Sequence, residues 1–68
     1  LKYRAFVQIL LDNGFVLDRQ RGSHCQYEAV VKGERRIVTV SGQPNDDIWP
    51  KNLASMIRQS GLSKKLFR

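Results

Sequence analysis

Ser23-His24-Cys25-Gln26-Tyr27-Glu28-Ala29-Val30-Val31-Lys32-Gly33-Glu34-Arg35-Arg36-Ile37-Val38-Thr39-Val40 is the stretch that decides the fold of this 68-residue chain. Between residues 23 and 31 the side chains alternate. Cys25, Tyr27, Ala29 and Val31 fall on one face and His24, Gln26 and Glu28 on the other, which is the period-two pattern of a half-buried strand. Lys32-Gly33 reads as a tight turn, although Asn or Gly would suit its first position better. Residues 35–40 form the next strand. A two-residue loop pairs position 27 with 38 and position 25 with 40, so Val38 and Val40 join the face of Tyr27 and Cys25. A slip of one residue would turn that apolar set to water.

Outward from this hairpin, Tyr3, Phe6, Val7, Leu10 and Leu11 recur at three- and four-residue spacing and predict a helix over 3–13, closed by Asn13-Gly14. Phe15 to Arg19 reads as a strand with Phe15 and Leu17 on one side, and Arg21-Gly22-Ser23 as the turn into the hairpin. Ser41 to Trp49 holds Gly42, Pro44, Asn45 and two aspartates and reads as a loop. Asp46 and Asp47 there suit a helix cap better than a metal site. Pro50 fits the first turn of a second helix. Leu53, Met56, Ile57 and Ser60 form its narrow core face and Gly61 ends it, with a short turn or helix in Leu62 to Arg68. Trp49 and Tyr3 flank the helices and read as packing residues rather than base-stacking ones. The order is helix, three-stranded antiparallel sheet, helix: a two-layer α+β domain over residues 1–68, both helices on the apolar face. This is the layout of the double-stranded-RNA-binding fold.

Composition narrows the function. No run of 18 apolar residues exists to span a membrane, and the opening Leu1-Lys2-Tyr3-Arg4 does not read as a secretory signal. One cysteine and one histidine are too few for a protein-built zinc site, and no internal disulfide is possible. A reducing cytoplasm is the expected setting. Twelve Lys and Arg against six Asp and Glu give a net charge of +6, which favours a polyanionic partner, either nucleic acid or an acidic protein.

His24 is the candidate catalytic residue. Its strand phase points it away from the core, beside Arg19, Arg21, Gly22 and Ser23. Imidazole exchanges its proton near neutral pH, and the exposed amides around Gly22 suit a phosphate. A Cys25–His24 dyad is excluded because neighbours on a strand face opposite ways; Cys25 reads as a small core residue. Glu28 shares the face of His24 but lies too far along the strand to orient it. Lys51 and Arg58, seven apart, share an exposed side of the second helix and could track a phosphate backbone. Arg19, Arg21, Gly22, Ser23, Lys51 and Arg58 are therefore the candidate RNA-binding residues, and the expected chemistry needs no metal.

Several of these segments together resemble the HicA toxins of bacterial toxin–antitoxin modules. They are Lys2-Tyr3-Arg4, Leu11-Asp12-Asn13-Gly14-Phe15-Val16, Arg19-Gln20-Arg21-Gly22-Ser23-His24 followed by Tyr27, and Met56-Ile57-Arg58-Gln59-Ser60-Gly61-Leu62-Ser63. The resemblance implies an endoribonuclease that cleaves messenger RNA and so arrests translation. It also implies that His24 is its catalytic residue and that an antitoxin, HicB, binds over the site. The chain departs from many relatives after the third strand, where Val40-Ser41-Gly42-Gln43-Pro44 carries no second histidine. Two other readings stay open at this stage: a non-catalytic RNA-binding module and a protein-interaction module of the same fold.

Overall fold

A computed structural model describes every residue from Leu1 to Arg68. The elements run α1 (Tyr3–Asp12), β1 (Val16–Arg21), β2 (His24–Val31), β3 (Glu34–Ser41), α2 (Pro50–Ser60) and a final 3₁₀ turn (Lys64–Phe67). The three strands form one antiparallel sheet in the order β1-β2-β3. The expected α+β architecture is therefore the observed one.

The β2–β3 register is the one the alternation requires. Tyr27 lies opposite Val38 and Cys25 opposite Val40, with Lys32 and Gly33 alone in the turn. Val38 and Val40 are buried under Phe6 and Leu10 of α1, Met56 of α2, and Phe15, Ile48 and Phe67 from the connecting segments. Tyr3, Tyr27, Ala29 and Val31 pack around this cluster. The tail belongs to the core as well, because the Phe67 ring stacks on Phe6 at 4.8 Å between centroids. Ser60 is the only buried polar residue. Its hydroxyl donates to the Ile57 carbonyl at 2.6 Å and accepts from the Leu62 amide at 3.1 Å, so its burial leaves nothing unpaired.

Two expectations about the 41–49 loop are corrected. Asp46 and Asp47 do not cap α2: the residue before that helix is Trp49, which offers no side-chain cap. The loop caps α1 instead. The Tyr3 amide donates to the Asp46 carbonyl and the Arg4 amide to the Pro44 carbonyl, both at 3.0 Å, and these bonds satisfy donors that a helix start leaves free. Nor is Trp49 a packing residue, since 75% of it is exposed. Its backbone is extended just before Pro50, so adjacent side chains point to opposite sides, and Ile48 takes the core position.

Candidate functional site

The first strand carries the feature that builds the site. Leu17 lies opposite Tyr27 and Arg19 opposite Gln26, so Asp18 is an extra residue that forms a β-bulge. A regular strand would keep Leu17, Arg19 and Arg21 on one face, the core face of Tyr27 and Cys25. The bulge reverses the phase after Leu17. It sends Arg19 and Arg21 to the water-facing side and Gln20 to the side of Cys25. Two arginines are thereby kept out of the core and set beside His24.

The result is a grid of six polar side chains on the open face. One row is Arg21, His24 and Ser41, each opposite the next across the sheet. The second row is Arg19, Gln26 and Thr39. Facing side chains on neighbouring strands stand about 5 Å apart, so His24 has an arginine on one side and a hydroxyl on the other. Arg19, Arg21, His24, Gln26 and Thr39 line a hollow of about 250 Å³ that no carboxylate enters. The His24 ring is exposed. The β1–β2 turn at the end of this grid holds only Gly22 and Ser23. Gly22 has φ +60°, a conformation that Gly adopts without a Cβ penalty and that fits the first position of a tight hairpin turn.

The other candidates are placed elsewhere. Ser23 turns to the opposite side and lines a hollow of about 220 Å³ between α1 and the core face, with Tyr3, Val7, Cys25, Tyr27 and Val40. Cys25 is half-buried there, with the sheet between it and His24. Burial raises the pKa of the Tyr27 phenol at this site, and the nearby Cys25 adds to the effect. Lys51 and Arg58 are exposed on α2. Arg58 borders a separate hollow with Ala54, Ile57, Leu62 and Lys64, so neither cation of α2 lines the His24 hollow. Glu28 is not merely solvated: it holds Arg35 through two bonds of 2.7 and 3.2 Å, and this pairing pulls its carboxyl below the usual carboxylate range. No three His, Cys, Asp or Glu side chains gather where they could hold a metal ion.

Sequence reasoning passed over Thr39 and Ser41, although the register that pairs 25 with 40 also sets 24 opposite 41 and 26 opposite 39. Beyond the polar grid the same open face sets exposed apolar side chains around the Glu28–Arg35 pair. Val16, Glu28 and Ile37 form one row and Val30 and Arg35 the next, with Val30 72% exposed.

No helix is long and apolar enough to cross a membrane. No curated protein and no solved structure shows significant similarity to the chain. The sequence profile described as HicA toxin of bacterial toxin–antitoxin, in contrast, matches residues 3–62, a span that takes in α1, the whole sheet with its polar grid, and α2. The chain belongs to the HicA toxin family, whose members act within toxin–antitoxin systems and so have an antitoxin as partner.

Proposed function

We propose that this toxin is an endoribonuclease that cleaves messenger RNA with His24 as its general base and without a metal ion. The observation that carries the reading is the row Arg21–His24–Ser41, which sets an exposed imidazole beside a cation at an open hollow lined by no carboxylate. A phosphodiester resting on Arg19 and Arg21 brings a ribose 2′-hydroxyl to the imidazole. The neutral ring takes the hydroxyl proton as the 2′-oxygen attacks phosphorus. The bond from phosphorus to the 5′-oxygen then breaks, leaving a 2′,3′-cyclic phosphate. Water at the open side protonates the departing 5′-oxygen, and the hydroxide so formed takes back the proton held by His24, which restores the neutral ring. Arg19 and Arg21 neutralise the charge that builds on the phosphoryl oxygens. A positioned general base contributes about 10²–10⁴-fold; orientation and charge neutralisation supply the remainder.

A HicB-type antitoxin is the proposed partner. It would cover the open face, which offers cations at the His24 end and exposed valine and isoleucine around the Glu28–Arg35 pair at the other. Exposed apolar area beside a charged site is a common feature of interaction surfaces.

The test is cleavage of a mixed-sequence RNA by the wild type and by His24→Ala, each with and without EDTA. The expected result is cleavage by the wild type in both conditions and none by the variant, whose fold and RNA binding persist. Cutting by His24→Ala would overturn the role of His24, and activity lost in EDTA but restored by Mg²⁺ would overturn metal independence. RNA binding without any cleavage would mark a binding module, and no RNA binding at moderate salt would mark a protein-interaction module. A substrate with a 2′-deoxy sugar at the scissile step should stay intact.

A further inference from the structure

Thr39 borders two hollows. One is the His24 hollow; the other, of about 190 Å³, lies where α2 meets the edge of the sheet and is lined by Tyr3, Thr39, Ser41, Asn52, Ser55 and Met56. We propose that this second hollow is a nucleobase subsite, which takes the base of a nucleotide next to the scissile phosphate and selects among the four bases.

The lining is what a base requires. A flat heteroaromatic ring has apolar faces and a polar edge, and proteins that read single-stranded RNA hold the faces against apolar or aromatic groups while hydrogen-bonding the edge. Here the Met56 side chain and the Tyr3 ring supply the apolar part. The Asn52 carboxamide both donates and accepts, as do the Ser41 and Ser55 hydroxyls. Asn52 and Ser55 are three apart on α2 and so share one side of it. The Tyr3 ring lies against the bare Cα of Gly42: a Cβ on that residue would lie 2.5 Å from two ring carbons of Tyr3. Any larger residue at 42 would therefore push the ring away.

Charge and span give the direction. The cations of the open face near His24 are on β1, and the uncharged hydrogen-bonding groups are on β3 and α2. Two strand spacings, about 10 Å, separate β1 from β3, a distance that linked nucleotides bridge. A strand anchored by its phosphate on Arg19 and Arg21 thus passes over His24 and Gln26 and delivers a base past Thr39 and Ser41. No acidic residue lines either hollow, so nothing repels the backbone along the way. Lys51, four residues before Ser55, stands on that same side of α2 and can meet the phosphate beyond the base.

The inference rests on the RNA-cleaving reading, and the experiment separates the two. The four homotetranucleotides, each with 2′-O-methyl sugars so that none can be cut, are titrated into the wild-type protein and into Asn52→Ala/Ser55→Ala, with NMR shifts followed. Cleavage of a mixed-sequence RNA by the wild type is scored alongside. In the wild type the Asn52 side-chain amide and the Ser55 backbone amide should shift, and affinities should differ by base. In the variant that difference should shrink about tenfold, the scale of one or two side-chain hydrogen bonds, while the Arg19 and Arg21 signals still respond. If shifts stop at Arg19, Arg21 and His24, or if the double variant keeps the wild-type base preference, the subsite is overturned even though the RNA is cut. If base-dependent shifts at Asn52 occur in a protein that cuts nothing, the subsite stands and the nuclease reading falls. No response to any tetranucleotide overturns the subsite, and if the mixed-sequence RNA also stays intact the nuclease reading falls with it. Gly42→Ala, which crowds Tyr3, should likewise weaken base preference more than overall affinity, and an unchanged preference in a folded Gly42→Ala protein counts against the subsite.

Discussion

Arg21 and His24 are the last facing pair of the β1–β2 ladder, joined by a turn of only Gly22 and Ser23. A two-residue connection fixes the stagger of both strands, so the guanidinium and the imidazole are held as neighbours by backbone geometry rather than by a hydrogen bond between them. This constraint makes the arginine's side of the strand testable. Arg21→Gln should lower kcat/KM for RNA cleavage by about 10²–10³-fold, the scale of one electrostatic stabiliser of the transition state. Adding Gln20→Arg restores the net charge, yet residue 20 faces Cys25 on the other side of the sheet. The Arg21→Gln/Gln20→Arg protein should therefore stay as slow as Arg21→Gln. Recovery of wild-type rates in the double variant would show that charge matters and its position does not.

How far the sequence foretold this pair is instructive. The hairpin from residue 23 to 40 was fully legible, since its alternation admits one register with an apolar face, and that register alone sets His24 on the open side. Arg19 and Arg21 were legible only as neighbours of His24 in sequence. Strict alternation from Phe15 and Leu17 assigns them to the core face, and no residue around Asp18 announces a bulge. The cost of burying two guanidinium groups is the only hint that the phase must change. Asn52 and Ser55 were not legible at all, because the packing of α2 against β3 is tertiary and leaves no periodic mark. Trp49 was misread for a related reason: the core position beside it could go to only one of two adjacent apolar residues, and Ile48 took it.

The turn at Lys32-Gly33 carries a defect that can be repaired. Lys32 is the one non-glycine residue with positive φ, at +52°, where a side chain with a Cβ is strained by roughly 1–2 kcal/mol. Asn tolerates this conformation far better. Lys32→Asn should therefore raise stability by about 1 kcal/mol and the Tm by several degrees, read by thermal unfolding. Its cleavage activity should be unchanged, because the turn lies at the end of β2 away from His24. A lower Tm would contradict the left-handed geometry of Lys32.

The tail beyond the family match is structural. The matched span ends at residue 62, yet Phe67 is buried and stacked on Phe6. Phe67→Ala should cost about 3 kcal/mol, as expected for removing a buried phenylalanine. In so small a chain this is a large part of the total stability, so the urea midpoint should fall steeply and much of the protein should unfold near body temperature. Phe67→Leu keeps most of the buried volume and should recover more than half of the loss. A Phe67→Ala midpoint equal to that of the wild type would mean that the 3₁₀ turn does not hold its ring against α1.

The Glu28–Arg35 pair ties stability to acidity. The bonds from Arg35 lower the Glu28 pKa in the folded chain, whereas the unfolded carboxyl has its ordinary value near 4.3. Between the two values the unfolded chain binds more protons than the folded one, so stability rises with pH across that window. The contribution is complete above the ordinary carboxylate range and disappears as pH falls through the lowered value. Arg35→Ala removes the cause of the shift. Its urea midpoint should therefore lie below that of the wild type at neutral pH, and the gap should close once acid has protonated Glu28 in both proteins. The pair is exposed enough to be screened by salt, so the neutral-pH gap should also narrow at high ionic strength. A gap that persists unchanged into acid would show that the effect of Arg35→Ala does not come from the ion pair.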